Sequence, residues 1–168
     1  ADFERVLAIN PTHPLAWAWR SLLARFENDP RDTMISYRAA LSGWKTNPAV
    51  DHLIGRELSQ KYRFADGAAH QRRALALDPR FVPARTQLAQ DLLRLGDEPA
   101  GWTLIDQAHQ QDGYDLVTFN LLELKRKLDT FTSLESKHFV VRMAPREAAV
   151  YGRSVLELLE AARGKLGA

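Results

Sequence analysis

PAVDHLIGRELSQKYRFADGAAHQRRALALDPRF, residues 48–81, decides the fold, because its 34 residues recur on both sides of it in the same register. Sliding the chain by 34 places Leu7 on Leu41 and Leu75, and Ile54 on Leu88 and Leu122. Ala40 lands on Ala74 and then Ala108, Phe3 on Tyr37, and Leu58 on Leu92. The small positions match as well: Gly55 meets Ala89, and Gly67 meets Gly101. Asp78 meets Asp112. Size class is kept at one fixed offset, which chance rarely achieves, so the chain reads as a repeat array.

Each repeat reads as two helices. Large apolar residues at Ile54, Leu58, Leu88 and Leu92 fill the space between them. The small residues Gly55 and Ala89 let the second helix approach the first closely. Pro11 and Pro79 stand just past a helix end, in Ile9-Asn10-Pro11 and Leu77-Asp78-Pro79, where proline cannot continue the helix and the chain turns.

The period and these residues resemble the tetratricopeptide repeat, over residues 1–128. Trp17 takes the opening aromatic position. Ile54-Gly55 and Leu88-Ala89 take the Leu-Gly pair of helix A. Phe3 and Tyr37 take the helix B aromatic, and Ala40, Ala74 and Ala108 the late helix B alanine. The resemblance implies an all-α, right-handed α-α superhelix, with three full helix pairs and a half repeat at each end. Departures are local. Arg20-Ser21 stands where Leu-Gly is expected, Lys45 replaces a closing proline that arrives late as Pro48, and Gly113 takes another proline position.

After Leu128 the pattern changes, so residues 129–168 read as a short strand-plus-helix appendage. HFVVRM, residues 138–143, is apolar and β-branched, with Phe139, Val141 and Met143 on one face. A helix opens at Pro145, with Glu147 in its first turn. Tyr151, Val155, Leu158, Leu159, Ala162 and Leu166 follow at the spacing of one helical stripe. A lone strand leaves backbone groups unpaired. Residues 131–134 can pair with it as a hairpin across a turn at 135–137, or a second copy can pair with it, giving a homodimer through the C-terminal strand or helix. This segment resembles the opening of the peptidase-MA-like, gluzincin-type domain, which follows tetratricopeptide repeats in several bacterial proteins. That implies an accessory region of a larger zinc metallopeptidase, although His-Glu-x-x-His is absent from this chain.

Composition narrows the function. The 168 residues are 45% hydrophobic, enough for a core. No apolar run approaches a membrane span, and residues 1–9 read as a charged amphipathic helix rather than a signal peptide. With no initiator Met, the chain reads as an excerpt of a longer protein. There is no cysteine, hence no disulfide or thiolate site. The 23 basic and 21 acidic residues are interspersed, giving a formal charge of +2 and no nucleic-acid footprint. No two of the five histidines lie three or four apart, so no helical metal pair exists. Neither a Gly-x-Ser-x-Gly elbow nor a Gly-rich phosphate loop is present. No cofactor is implied.

The expected activity is therefore non-catalytic: a scaffold for a protein or peptide. In tetratricopeptide arrays helix A lines the concave surface, which here implies Trp19, Leu22, Phe26, His52, Arg56, Gln60, Gln87, Gln90, Arg94, Asn120 and Leu124. Amides and guanidinium groups suit an extended backbone or a carboxylate. His52 and Arg56, one turn apart, read either as a polar hot spot or as a solvated face; Trp19 reads either as packing or as a ligand anchor. The chaperone-binding subfamily's Lys/Asn/Arg carboxylate clamp is missing, its positions holding Ala18, Leu22, Leu53, Pro83 and Gln87.

Overall fold

The computed structural model describes residues 2–166. Ala1, expected in the first helix, and residues 167–168, expected in the appendage, lie outside the described residues. Helix α1 (Asp2–Ile9) precedes three helix pairs: α2 (Pro14–Phe26) with α3 (Pro30–Ala40), α4 (Pro48–Gln60) with α5 (Phe64–Leu77), and α6 (Val82–Arg94) with α7 (Glu98–Gln111). Helix α8 (Leu116–Leu128), strands β1 (Thr132–Glu135) and β2 (Val140–Met143), and helix α9 (Pro145–Leu166) complete the chain. It divides into two compact units between Phe119 and Asn120, inside α8.

The helix boundaries follow from local chemistry. Proline opens α2, α3 and α4, where its missing N–H costs nothing. The side chains of His13, Asp29, Asn47 and Asp97 accept from the backbone N–H of Ala16, Asp32, Ala49 and Ala100, capping α2, α3, α4 and α7. Each A-to-B turn is the same device repeated. Asn28, Tyr62 and Gly96, all 34 apart, take positive φ of 58°, 61° and 86°. The following N–H then reaches back to the helix: Asp29 to Ala24 O at 2.9 Å, Arg63 to Leu58 O at 3.1 Å, and Asp97 to Leu92 O at 2.9 Å.

Within a pair the helices cross on small residues. A Cβ on Gly55 would sit 2.9 Å from the Gly67 carbonyl and 2.5 Å from Gln71 Nε2, and one on Gly101 3.2 Å from the Ala89 carbonyl. The A helices α2, α4 and α6 also pack on one another, more closely than the B helices do. A core of Ala18, Leu22, Val50, Ile54 and Leu58 joins the first two pairs; Ala68, Leu88 and Leu92 continue it. Trp17 packs against this core and donates its Nε1–H to Pro11 O at 2.7 Å.

Two features depart from the repeat. Helix α3 stops at Ala40, whereas α5 runs three residues past the matching Ala74, and the connection to α4 takes residues 41–47. In addition, Asp51 stands at the register position of Trp17 and is fully buried. Its carboxylate accepts from Tyr37 Oη (2.7 Å), His70 Nδ1 (2.8 Å) and Arg73 Nε (3.0 Å). A buried charge is tolerable only when paired and hydrogen-bonded, which these three donors achieve. Burial pushes the carboxyl up, but the hydrogen bonds of His70, Tyr37 and Arg73 bring it below its ordinary value.

In the second unit, β1 and β2 form an antiparallel hairpin with Thr132 opposite Met143 and Glu135 opposite Val140. The strand after Leu128 thus finds its partner within the chain. Helix α9 packs on both strands. The face it turns inward matches the expected stripe in part: Val155, Leu159 and Ala162 are half-buried, but Tyr151, Leu158 and Leu166 are exposed, and Leu156 with Gly152, buried against Leu134, completes the face. Glu160 ties the helix to the hairpin turn, accepting from Ser136 Oγ (2.6 Å), His138 N (2.8 Å) and His138 Nδ1 (2.7 Å).

Candidate functional site

Two neighbouring A helices and the A-to-B turn of the first of their pairs form one pocket of about 340 Å³. Helix α4 contributes Arg56, Ser59 and Gln60, and α6 contributes Gln87, Gln90 and Arg94. Tyr62 and Phe64 close it from the turn and the start of α5. The register explains the arrangement: Arg56 and Gln90 are 34 residues apart, as are Gln60 and Arg94, so equivalent faces of successive A helices lie side by side.

Beneath the pocket lies Asp91, fully buried. Its Oδ2 is 2.9 Å from Ser59 Oγ, and its Oδ1 accepts from Gln87 Nε2 at 3.0 Å. Both donors are neutral. Burial therefore prevails over the Ser59 and Gln87 hydrogen bonds, and the carboxyl is held above its ordinary value. Arg94 lays its guanidinium over the Phe64 ring, 5.3 Å from the centroid, and the Tyr62 ring meets Phe64 edge-on at 5.9 Å. Arg56 is paired with Glu57 through Nε (3.1 Å) and Nη2 (2.8 Å). The surface thus combines two guanidiniums, three amides and two aromatic rings.

Of the residues proposed from sequence, Arg56, Gln60, Gln87, Gln90 and Arg94 meet in this pocket. The others lie elsewhere. His52 turns toward the helix interior: its Nδ1 donates to Gln71 Oε1 at 3.0 Å, and its ring meets Phe81 edge-on at 5.6 Å. Trp19 lines a second hollow with Phe3, Val6 and Leu15, between α1 and α2. Asn120 is exposed on α8 and belongs to the second unit. Leu22, expected in the groove, is only 2% exposed and sits in the core. Sequence reading missed Ser59, Tyr62 and Phe64. The signal for Tyr62 was its place 34 residues from both Asn28 and Gly96, two residue types that favour left-handed turns. Among the described residues no group of three or more His, Cys, Asp or Glu could hold a metal ion, and no helix is long and apolar enough to cross a membrane.

No family model and no curated protein sequence matches the chain. Solved structures do. MamA superposes with a TM-score of 0.54 at 13% identity, covering 74% of this chain and 73% of that one. PilF of Pseudomonas aeruginosa gives 0.52 at 19% identity, covering 76% of this chain and 60% of that one. The first TPR of Spaghetti (RPAP3), bound to the HSP90 peptide SRMEEVD, gives 0.54 at 11% identity, covering 68% and 93%. Together with the 34-residue register and the three stacked helix pairs, these likenesses establish that the chain has the tetratricopeptide-repeat fold.

Proposed function

We propose that this chain is a protein-interaction scaffold that holds an extended peptide segment along the row of its A helices. The observation that carries the reading is the pocket between α4 and α6, where five residues singled out from sequence converge with Tyr62 and Phe64. The side-chain amides of Gln60, Gln87 and Gln90 each offer a donor and an acceptor, which suits the alternating groups of an extended backbone. Stacking on Phe64 uses the face of the Arg94 guanidinium, leaving its edge for a carboxylate or carbonyl. Closer packing among A helices than among B helices curls the row toward the A side, so this face reads as the concave one.

The RPAP3 domain shares the fold and holds an HSP90 peptide. The present chain lacks the clamp residues of chaperone-binding arrays, with Gln87 at one of their positions, so it should not hold an acidic C-terminal tail by that clamp. Selection from a random peptide display library, followed by fluorescence anisotropy on a selected peptide, tests the reading. Arg56→Ala and Arg94→Ala should each weaken binding several-fold without unfolding the chain. Unchanged affinity in both variants overturns the assignment of this face.

A further inference from the structure

A third cavity, of about 360 Å³, lies on the helix B side, where α3 and α5 flank the A helices. We infer that it is a binding site for a small monoanion, a carboxylate carried on an apolar body. The floor is apolar: Leu22 and Ile54, each 2% exposed, with Pro30 and Met34 at the edge. One wall is polar and continuous. Arg25 Nη1 lies 3.3 Å from His70 Nε2, His70 Nδ1 donates to Asp51 at 2.8 Å, and Arg73 Nε donates to the same oxygen at 3.0 Å. Because Asp51 accepts from Nδ1–H, His70 presents a bare Nε2 to the Arg25 guanidinium. Both arginines are thus held in place before any ligand arrives.

Charge selects the ligand. Arg25 and Arg73 line the cavity and no carboxylate does. Asp51 lies behind the wall, and Asp66 is shared between Arg25 (3.2 Å) and Arg63 (2.7 Å). Asp29, beside Pro30, also lies near Arg25 and Arg63, so selectivity rests on the lining itself, which holds two guanidiniums and no carboxylate. Guanidiniums with unspent N–H donors beside a desolvated floor match a carboxylate on an apolar group. The volume falls at the lower end of the range for small-molecule pockets, about 300–1,000 Å³.

The next repeat shows that this is not a general property of the fold. There His70 becomes Leu104, Arg73 becomes Gln107, Tyr37 becomes Gln71, and Ser21 and Thr33 become Gly55 and Gly67. The glycines draw α4 and α5 together, and the polar wall is gone. The cavity therefore exists at one junction, where Asp51 has taken the place of a tryptophan.

The test uses 3-phenylpropionate and its neutral amide against the whole chain, read by backbone amide shifts and calorimetry. The acid should shift amides around Ser21, Tyr37 and His70, and the neutral amide should not. Arg73→Gln, which installs the next repeat's residue, should weaken the acid about tenfold or more, while Arg94→Ala on the A face should leave it unchanged. The tripeptide Gly-Gly-Phe, with a free and with an amidated C-terminus, distinguishes the source. Binding of the free form with the same footprint assigns the site to peptide C-termini; binding of the acid alone assigns it to small carboxylic acids. Equal shifts from acid and neutral amide, a footprint elsewhere, or an unaffected Arg73→Gln variant overturns the proposal.

Discussion

The Tyr37 hydroxyl donates to Asp51 Oδ2 at 2.7 Å, joining helix B of one pair to helix A of the next. At this junction a hydrogen bond stands where the repeat would place an aromatic contact. Burial, then the hydrogen bond to Asp51 and the charge of that carboxylate, push the phenol well above its ordinary range, so it stays protonated and remains a donor. Tyr37→Phe removes one of three donors to a fully buried carboxylate. The loss should be about 1–3 kcal/mol in urea denaturation, toward the lower end because His70 and Arg73 remain. The variant's acid limb should also move to higher pH, since the Asp51 carboxyl, depressed in the folded state, loses one group that depresses it. Stability equal to the parent would mean that this bond adds nothing to the junction.

A second prediction concerns mild acid. Burial lowers both His52 and His70 below the ordinary 6.5, despite hydrogen bonds to Gln71 and Asp51 that oppose the shift. The unfolded chain therefore binds more protons than the folded one as pH falls through 6.5, and stability falls with it. The contribution is intact above that value and lost progressively below it. Melting temperature should drop between about pH 7.5 and 5.5, and the double variant His52→Gln, His70→Gln should flatten that limb. An identical slope in parent and variant would assign the acid sensitivity to other groups.

Tyr62 adopts φ 61° at the place where Gly96 adopts 86°. Left-handed backbone costs a non-glycine residue about 1–2 kcal/mol, and Tyr62 is 83% exposed, so its ring recovers little by burial. Tyr62→Gly should therefore raise stability by about 0.5–1 kcal/mol, measured by denaturant midpoint. The same ring lines the A-face pocket, so peptide affinity should fall in the variant that gains stability. Opposite movements of the two readouts mark a residue kept for binding; parallel movements would show that the ring supports the turn instead.

Much of the fold was legible because it is local and periodic: the 34-residue offset carries the helix pairs, their turns and the crossing at Gly55. What was not legible depends on partners distant in sequence. A charged residue at 51 reads as solvated; only Tyr37, His70 and Arg73, brought in by the fold, make its burial tolerable. His52 sits at the edge of a helix face, and the choice between groove and interior is made by Gln71, an amide where the preceding repeat has Tyr37. The α9 stripe was legible at Val155, Leu159 and Ala162, but apolarity does not mark Gly152, whose missing side chain is what admits Leu134.

The glycines at the helix crossings give the sharpest contrast. A Cβ at Gly67 would lie 3.0 Å from the Gly55 carbonyl and from Asp91 Oδ2, and closer still to Ser59 Oγ. The carbonyl is backbone, and the two side chains are hydrogen-bonded to each other, so none can step aside cheaply. A Cβ at Gly101 would instead press on the Leu93 side chain at 2.8 Å, with the nearest backbone atom, the Ala89 carbonyl, at 3.2 Å. Leucine can change rotamer where a carbonyl cannot. Gly67→Ala should then cost about 2–3 kcal/mol and Gly101→Ala about 1 kcal/mol. Gly67→Ala should also disturb the A-face pocket, because Ser59 lines it and Asp91 lies beneath. Urea denaturation of the two variants decides the matter: equal costs would mean that the α4–α5 crossing yields as readily as a leucine side chain.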